Sequence, residues 1–408
     1  MEERAQRQPS MRVLQAIDRR LGPLAALFLR PLALLRRRLL GEPQNILMIK
    51  FWGLGSLQLA TPAARALRRV HPDSKLTLLT LSSNRELAEG LGVFDEVRCL
   101  DLSGAGWGAL ALRLYRMLRG LRGAGYDRVY DFEFFTWFSA LASLASGAPR
   151  TFGFADAGAR RGGLHTDTVP FNRYWHVARN FRALAGGETG ADVSARDLSP
   201  FRVQAAHERE LDAVLKQGAR PLVVINPNAG DLAPERRWPT ERFGAVAARL
   251  AREDGAHVVI TGSPSERDKT AAVLLAAGPH LSGRIQDLGG ALSIGALNAL
   301  FQRADLVLTN DSGPMHLAAA QGAPTLGLFG PETPVMYAPI GERVEVHYAP
   351  PLCSPCINVH DAKALSCIHG QPECLMRIEV EGVLKGARAL IAAQGERKEE
   401  VPACASSS

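Results

Sequence analysis

Residues 304–331, ADLVLTNDSGPMHLAAAQGAPTLGLFGP, constrain this chain more than any other stretch. Residues 306–309 are a short apolar run of strand type, 310–314 carry turn chemistry, 315–321 are a small-residue helix and 325–329 a second buried strand. That order makes a βαβ unit, in which Asp311, Ser312, Gly313, Pro314, Met315 and His316 lie between the carboxyl end of a parallel strand and the amino end of a helix. Open α/β sheets bind ligands there. Free backbone N–H groups and the positive helix end suit a phosphate, and Ser312 and Gly313 let the backbone approach it. Asp311 reads as an N-cap and Pro314 as the first helical residue, so simple helix initiation explains both. It does not explain His316. A histidine in the first turn stands against the helix dipole, which favours the neutral ring and points to a ligand contact.

The run TNDSGPMHLAAAQGAPTLGLFGP resembles the signature of glycosyltransferase family 9, the ADP-heptose:lipopolysaccharide heptosyltransferases and their relatives. The resemblance implies a GT-B fold, α/β with two Rossmann-like domains whose parallel sheets face each other across a cleft. It also implies that the second domain holds the sugar nucleotide and that transfer requires neither a metal ion nor a cofactor.

With 408 residues and 46% hydrophobic content, the chain has enough apolar material for two medium cores, and its length favours two domains. The net charge of +7 is unevenly placed: residues 1–42 hold nine arginines against four acids, and the remainder is nearly neutral. A basic surface for nucleic acid is thereby excluded, and no aromatic-studded basic stripe restores it. Within residues 11–40, Leu14, Ile17, Leu21, Leu24 and Phe28 recur at helical spacing, with Arg12, Arg19 and Arg20 off that stripe. The apolar part, 21–35, is too short to span a bilayer and is interrupted by Pro23, Arg30 and Pro31. Two readings stand for it: a helix packed on the domain surface, or an interfacial helix with Arg36, Arg37 and Arg38 near anionic headgroups of the inner membrane. No secretory signal is read at the amino terminus, so a cytoplasmic location is expected, on the membrane surface under the second reading.

The first domain is expected over 44–190, after a basic amphipathic segment 1–43. Its opening strand, NILMIKF, is followed by Trp52, Gly53, Leu54, Gly55 and Ser56 and a helix to about residue 70. A dinucleotide site fails here, because the third glycine falls at Gln58 and the next strand, 75–81, ends in Ser82 and Ser83 instead of an acid. This loop resembles the family's first loop, which places Trp52, Gly53 and Gly55 on the acceptor side. One departure matters: heptosyltransferases usually have Gly-Asp, the Asp proposed as base, where this chain has Gly55-Ser56. A serine hydroxyl alone is no general base near neutral pH. Another carboxylate is then needed, and Asp131 and Glu133 close the strand 127–130. The bland alternative has Asp131 capping the next helix, 136–146, and Glu133 in solvent. Relatives place acceptor-facing residues in this loop, which favours Glu133.

A polar, glycine-rich linker is expected at 186–200, and the donor domain over 200–378. An Asn/Gly turn after the strand 222–226, with Asn228, and the adjacent Arg236 and Arg237 suit a pyrophosphate. Arg236 takes the place of the basic residue that touches donor phosphates in the family, whereas Trp238 reads as core. Glu266 either caps its own helix or, as the resemblance implies, accepts from ribose hydroxyls. Cys353, Cys356, Cys367 and Cys374 read as free thiols or a disulfide pair, with a structural metal site as the alternative. A closing helix is expected over 379–394 and a disordered tail over 395–408.

The resemblance therefore implies an inverting, metal-independent glycosyltransferase, with ADP-heptose as donor by family alone and a lipid-linked or glycan acceptor. The rival reading is a non-catalytic nucleotide-sugar-binding homologue that has lost its base at Ser56.

Overall fold

Segments such as LVVIN, HVVI, LVLTN and TLGLF are apolar on both faces, which water tolerates only when helices cover both sides of a parallel sheet. The computed structural model describes residues 11–34, 41–104, 106–134, 136–155, 163–186, 193–216, 218–230, 233–278, 281, 283–357 and 366–400. The described strands form two six-stranded parallel sheets, and the chain divides into two compact units, Met1–Val193 and Ser194–Ser408.

The first unit runs α1 (Met11–Leu34), β1 (Asn45–Ile49), α2 (Leu54–Leu59), α3 (Thr61–Val70), β2 (Lys75–Leu81), α4 (Arg85–Leu91), β3 (Glu96–Leu100), α5 (Trp107–Gly123), β4 (Arg128–Asp131), α6 (Trp137–Ala145), β5 (Arg150–Ala155), β6 (Asp167–Pro170) and α7 (Val177–Leu184). Its sheet order is β3-β2-β1-β4-β5-β6. Successive strands leave β1 in opposite directions, so the loops after β1 and β4 diverge and leave a crevice at their carboxyl ends. The pairing of Ile49 with Asp131 sets the Lys50–Ser56 loop beside Phe132 and Glu133.

The second unit runs α8 (Ala205–Val214), β7 (Leu222–Asn226), α9 (Thr240–Glu253), β8 (His257–Ile260), α10 (Arg267–Ala277), β9 (Ile285–Asp287), α11 (Ile294–Arg303), β10 (Leu306–Asn310), α12 (Gly313–Ala320), β11 (Thr325–Phe329), α13 (Pro334–Tyr337), β12 (Val344–Tyr348), α14 (Glu373–Met376) and α15 (Val380–Glu400). Its order, β12-β11-β10-β7-β8-β9, repeats the same plan, with the switch between β7 and β10. The core beneath β7 and β8 is closed by Phe243, Val246 and Leu250 of α9 and by Val383 and Leu384 of α15.

Four local readings change. The helix after β1 breaks at Ala60 into α2 and α3, with Pro62 near the start of the second piece. α12 begins at Gly313 with Ser312 as N-cap, so Asp311 is not the cap and Pro314 is the second helical residue. α15 continues to Glu400, past the expected end at 394, because GERKEE is rich in strong helix formers. The edge strands β6, β9 and β12 went unread, being short and only partly apolar. Arg36, Arg37, Arg38, part of the linker and the tail beyond Glu400 lie outside the described residues.

Candidate functional site

The switch point of the second unit gathers most of the residues singled out as donor-binding. Register pairing of Thr309 with Asn226 brings the two strand ends level. Asn310, fully buried, ties them together: its amide nitrogen donates to Pro227 O at 2.8 Å, and its Oδ1 accepts the Trp238 N–H at 3.0 Å. Arg236, in a short 3-10 turn over Pro234–Arg236, adds a charged bridge. Its Nη1 donates to Asp311 O at 3.0 Å and lies 3.2 Å from Asp311 Oδ2, while Nη2 donates to Ala229 O at 2.9 Å. The guanidinium is thus fixed beside the amino end of α12, where the backbone dipole is positive. Its Nε, and the Oδ1 atoms of buried Asn226 and Asn228, have no hydrogen-bond partner among the described residues. One open donor and two open acceptors around a strand-end crevice match a ligand carrying both anionic oxygens and hydroxyl or amino hydrogens.

The remaining donor-side residues divide. Ser312 Oγ pairs with Thr309 Oγ1 at 3.1 Å, and Gly313 opens the helix. His316 is buried in the first turns of α12. Met315 is fully buried and its Sδ lies 2.7 Å from where a Cβ on Gly327 would stand, so it packs on the sheet below the crevice instead of facing a ligand. Glu266 closes a capping box, its Oε2 accepting from Ser263 N at 2.9 Å and Oγ at 2.8 Å, which realises the helix-initiation reading. Trp238 is core, edge-on to Phe243 with ring centroids 5.0 Å apart.

In the first unit Glu133 joins both sides of the switch point. Its Oε1 accepts from Lys50 Nζ at 2.9 Å, Phe51 N at 2.5 Å and Trp52 N at 3.0 Å, with both charged side chains almost wholly buried. The expectation of a solvated Glu133 is overturned: the loop after β1 presents two N–H groups and an ammonium that need an acceptor, and Glu133 supplies it. Asp131 is equally enclosed. Its Oδ1 accepts the Glu133 N–H at 3.1 Å, and its Oδ2 accepts from Ser139 Oγ at 3.0 Å and lies 3.2 Å from His165 Nε2. It does not cap the next helix, a task taken by Asp18 of α1, which accepts from Trp137 N and Phe138 N at 3.0 and 2.7 Å. Ser56 lies half-buried in α2, behind Gly53, whose φ of 84° makes the turn. Trp52 leans on the core around Phe51. Lys50, Ser139 and His165 escaped the sequence reading, although a lysine ending the apolar run NILMIKF was a visible signal.

Cys353, Cys356, Cys367 and Cys374 are free thiols. Burial pushes the Cys374 thiol up to about 11. Among the described residues no group of His, Cys, Asp or Glu side chains gathers to hold a metal ion.

Two doubly wound parallel sheets, each with a crevice at its switch point, make this an α/β protein of the GT-B fold. Residues 114–366 match the model of glycosyltransferase family 9 (heptosyltransferase), and the chain belongs to that family. Lipopolysaccharide heptosyltransferase 2 of Escherichia coli K12 is 27% identical over 313 residues, 74% of this chain and 87% of that protein. The solved structure of E. coli ADP-heptose lps heptosyltransferase II superposes with a TM-score of 0.69 at 23% identity, covering 88% of this chain and all of the other. E. coli heptosyltransferase WaaC with ADP gives 0.63 at 16% identity, over 85% and 99%.

Proposed function

We propose that this chain is an inverting, metal-independent heptosyltransferase that moves heptose from ADP-heptose onto a lipid-linked lipopolysaccharide-core acceptor at the cytoplasmic face of the inner membrane. The observation that carries the reading is Arg236, fixed between Ala229 and Asp311 at the amino end of α12 with its Nε open. The relatives, a lipopolysaccharide heptosyltransferase, an ADP-heptose lps heptosyltransferase and a heptosyltransferase with ADP, support the choice of donor and acceptor. The donor unit is taken as 200–378, and the acceptor unit as 44–190.

In this reading an acceptor hydroxyl oxygen attacks the anomeric carbon from the face opposite the nucleotide. The bond to the diphosphate oxygen breaks, ADP leaves with the electron pair, and the hydroxyl proton passes to a base. Arg236, Ser312 and the N–H groups of α12 stabilise the charge growing on the diphosphate, as a preorganised guanidinium and helix terminus do without a divalent cation. Asn226 and Asn228 take ribose or base hydrogens, Glu266 keeps Oε2 in its capping box and offers the other carboxylate oxygen to the ribose, and His316 lines the pocket. Glu133 is the candidate base, with Asp131 behind it, while Trp52, Gly53, Gly55 and Ser56 shape the acceptor side.

A second reading rests on Ser56: without the family's aspartate the chain binds a nucleotide sugar and transfers nothing. Incubation with ADP-heptose and a lipid A–core extract in EDTA separates the two. Release of ADP with a heptose mass gain on the acceptor supports transfer. Donor binding without turnover supports the binding protein, and absence of donor binding sinks both.

A further inference from the structure

α1 has two unlike faces. The inward face is built for α6: Asp18 caps its first N–H groups, Gly22 lies where a Cβ would stand 2.3 Å from Trp137 Cβ, and Ala26 and Leu29 pack with Ala140, Leu144 and Leu164. The outward face carries Val13, Ile17, Leu21, Leu24 and Phe28, all exposed, with Phe28 at 78% and Leu21 at 57%. Their spacing of four, four, three and four residues puts them on one stripe, and exposed Leu27 borders it. A helix clamped on one side, with a continuous apolar stripe on the other, is a docking face.

Charge selects the occupant. The acid among the described residues of α1, Asp18, is spent on α6, whereas Arg19 and Arg20 are exposed, with Arg20 one turn from Leu24. An apolar stripe bordered by the Arg20 guanidinium fits the boundary between acyl chains and anionic headgroups, where arginine buries its stem and keeps its head at the phosphates. No described helix is long and apolar enough to cross a membrane, so the face lies along the surface.

We propose that α1 is a docking helix that lies flat on an anionic bilayer, with the Val13–Phe28 stripe in the acyl boundary and Arg20 at phosphate level. Its purpose, holding the acceptor unit where a lipid-linked acceptor is presented, rests on the transferase reading. The test uses the full chain and sedimentation with vesicles of phosphatidylcholine alone or mixed with phosphatidylglycerol. Binding to the mixed vesicles is expected, weakened by salt and by about tenfold in Arg20→Glu. Leu24→Glu/Phe28→Glu should abolish it while the melting temperature stays unchanged, since both side chains already face water. Failure of the wild type to sediment, or equal binding by the double variant, overturns the proposal. So does a wild-type dimer that the double variant converts to monomer, because the occupant is then a second copy. Transfer of heptose from ADP-heptose to a lipid A–core extract, assayed without vesicles, tests the transferase reading separately, so the two failures are distinguishable.

Discussion

Arg236 and Asp311, 75 residues apart, meet at the carboxyl ends of adjacent strands, with Nη1 of the arginine 3.0 Å from the carbonyl of Asp311 and 3.2 Å from its carboxylate. One planar group thus fixes two loops, while its buried Nε has no hydrogen-bond partner among the described residues. Lysine carries the charge but not the fork. Arg236→Lys is therefore expected to lower affinity for ADP by about ten- to a hundredfold, the range for losing a charge-assisted hydrogen bond, with little change in fold. Isothermal titration of ADP alone reads this, and unchanged affinity would remove Arg236 from the phosphate site.

The buried Lys50–Glu133 pair makes a prediction of opposite kind. Removing one partner leaves a desolvated charge, at a cost of about 3–5 kcal/mol, whereas replacing both with neutral groups costs less provided that the Phe51 and Trp52 N–H groups keep an acceptor. Lys50→Met and Glu133→Gln should each lower the denaturation midpoint strongly, and Lys50→Met/Glu133→Gln, whose amide oxygen still accepts, less than the sum of its parts. If Glu133→Gln abolishes turnover while the midpoint barely moves, the carboxylate acts as base more than as a clamp.

Much of this arrangement was legible in the sequence. Continuous apolar runs such as LVLTN announce strands covered on both faces, and turn residues after them mark the ligand-facing strand ends, whereas the strand order that makes the switch points is not a local signal. Side-chain partners were not legible, because they join residues far apart in sequence. Nothing local to FEFF tells that Glu133 accepts from Lys50, nor does the α6 segment tell that Asp18 of α1 caps it. Short edge strands such as DTVP were missed because, half-exposed, they lack the continuous apolar run that marks a core strand.

Gly327 of β11 tests the placement of Met315. A methyl group there would stand 2.7 Å from Met315 Sδ in a fully packed core. Gly327→Ala should destabilise by about 1–3 kcal/mol, the range for overpacking, and Met315→Ala in the same chain should recover part of the loss. Chemical denaturation of the two single variants and the double variant measures the coupling. Additive effects would mean that Met315 points away from the sheet.

The edge of the second unit makes a pH prediction. His257 opens β8 with its ring packed where Gly218 leaves room for it. Burial, with a smaller contribution from the Lys216 charge, holds its pKa below the usual imidazole range of about 6.5. The folded state therefore binds this proton less readily than the unfolded chain, and stability from this residue is complete above the unfolded pKa and lost as pH falls through the folded one. Melting temperatures measured between neutral pH and mild acid should fall more steeply in the wild type than in His257→Gln, whose side chain does not titrate. Parallel slopes would mean that the ring is already hydrated when folded, and that Gly218 is small for a reason other than the imidazole.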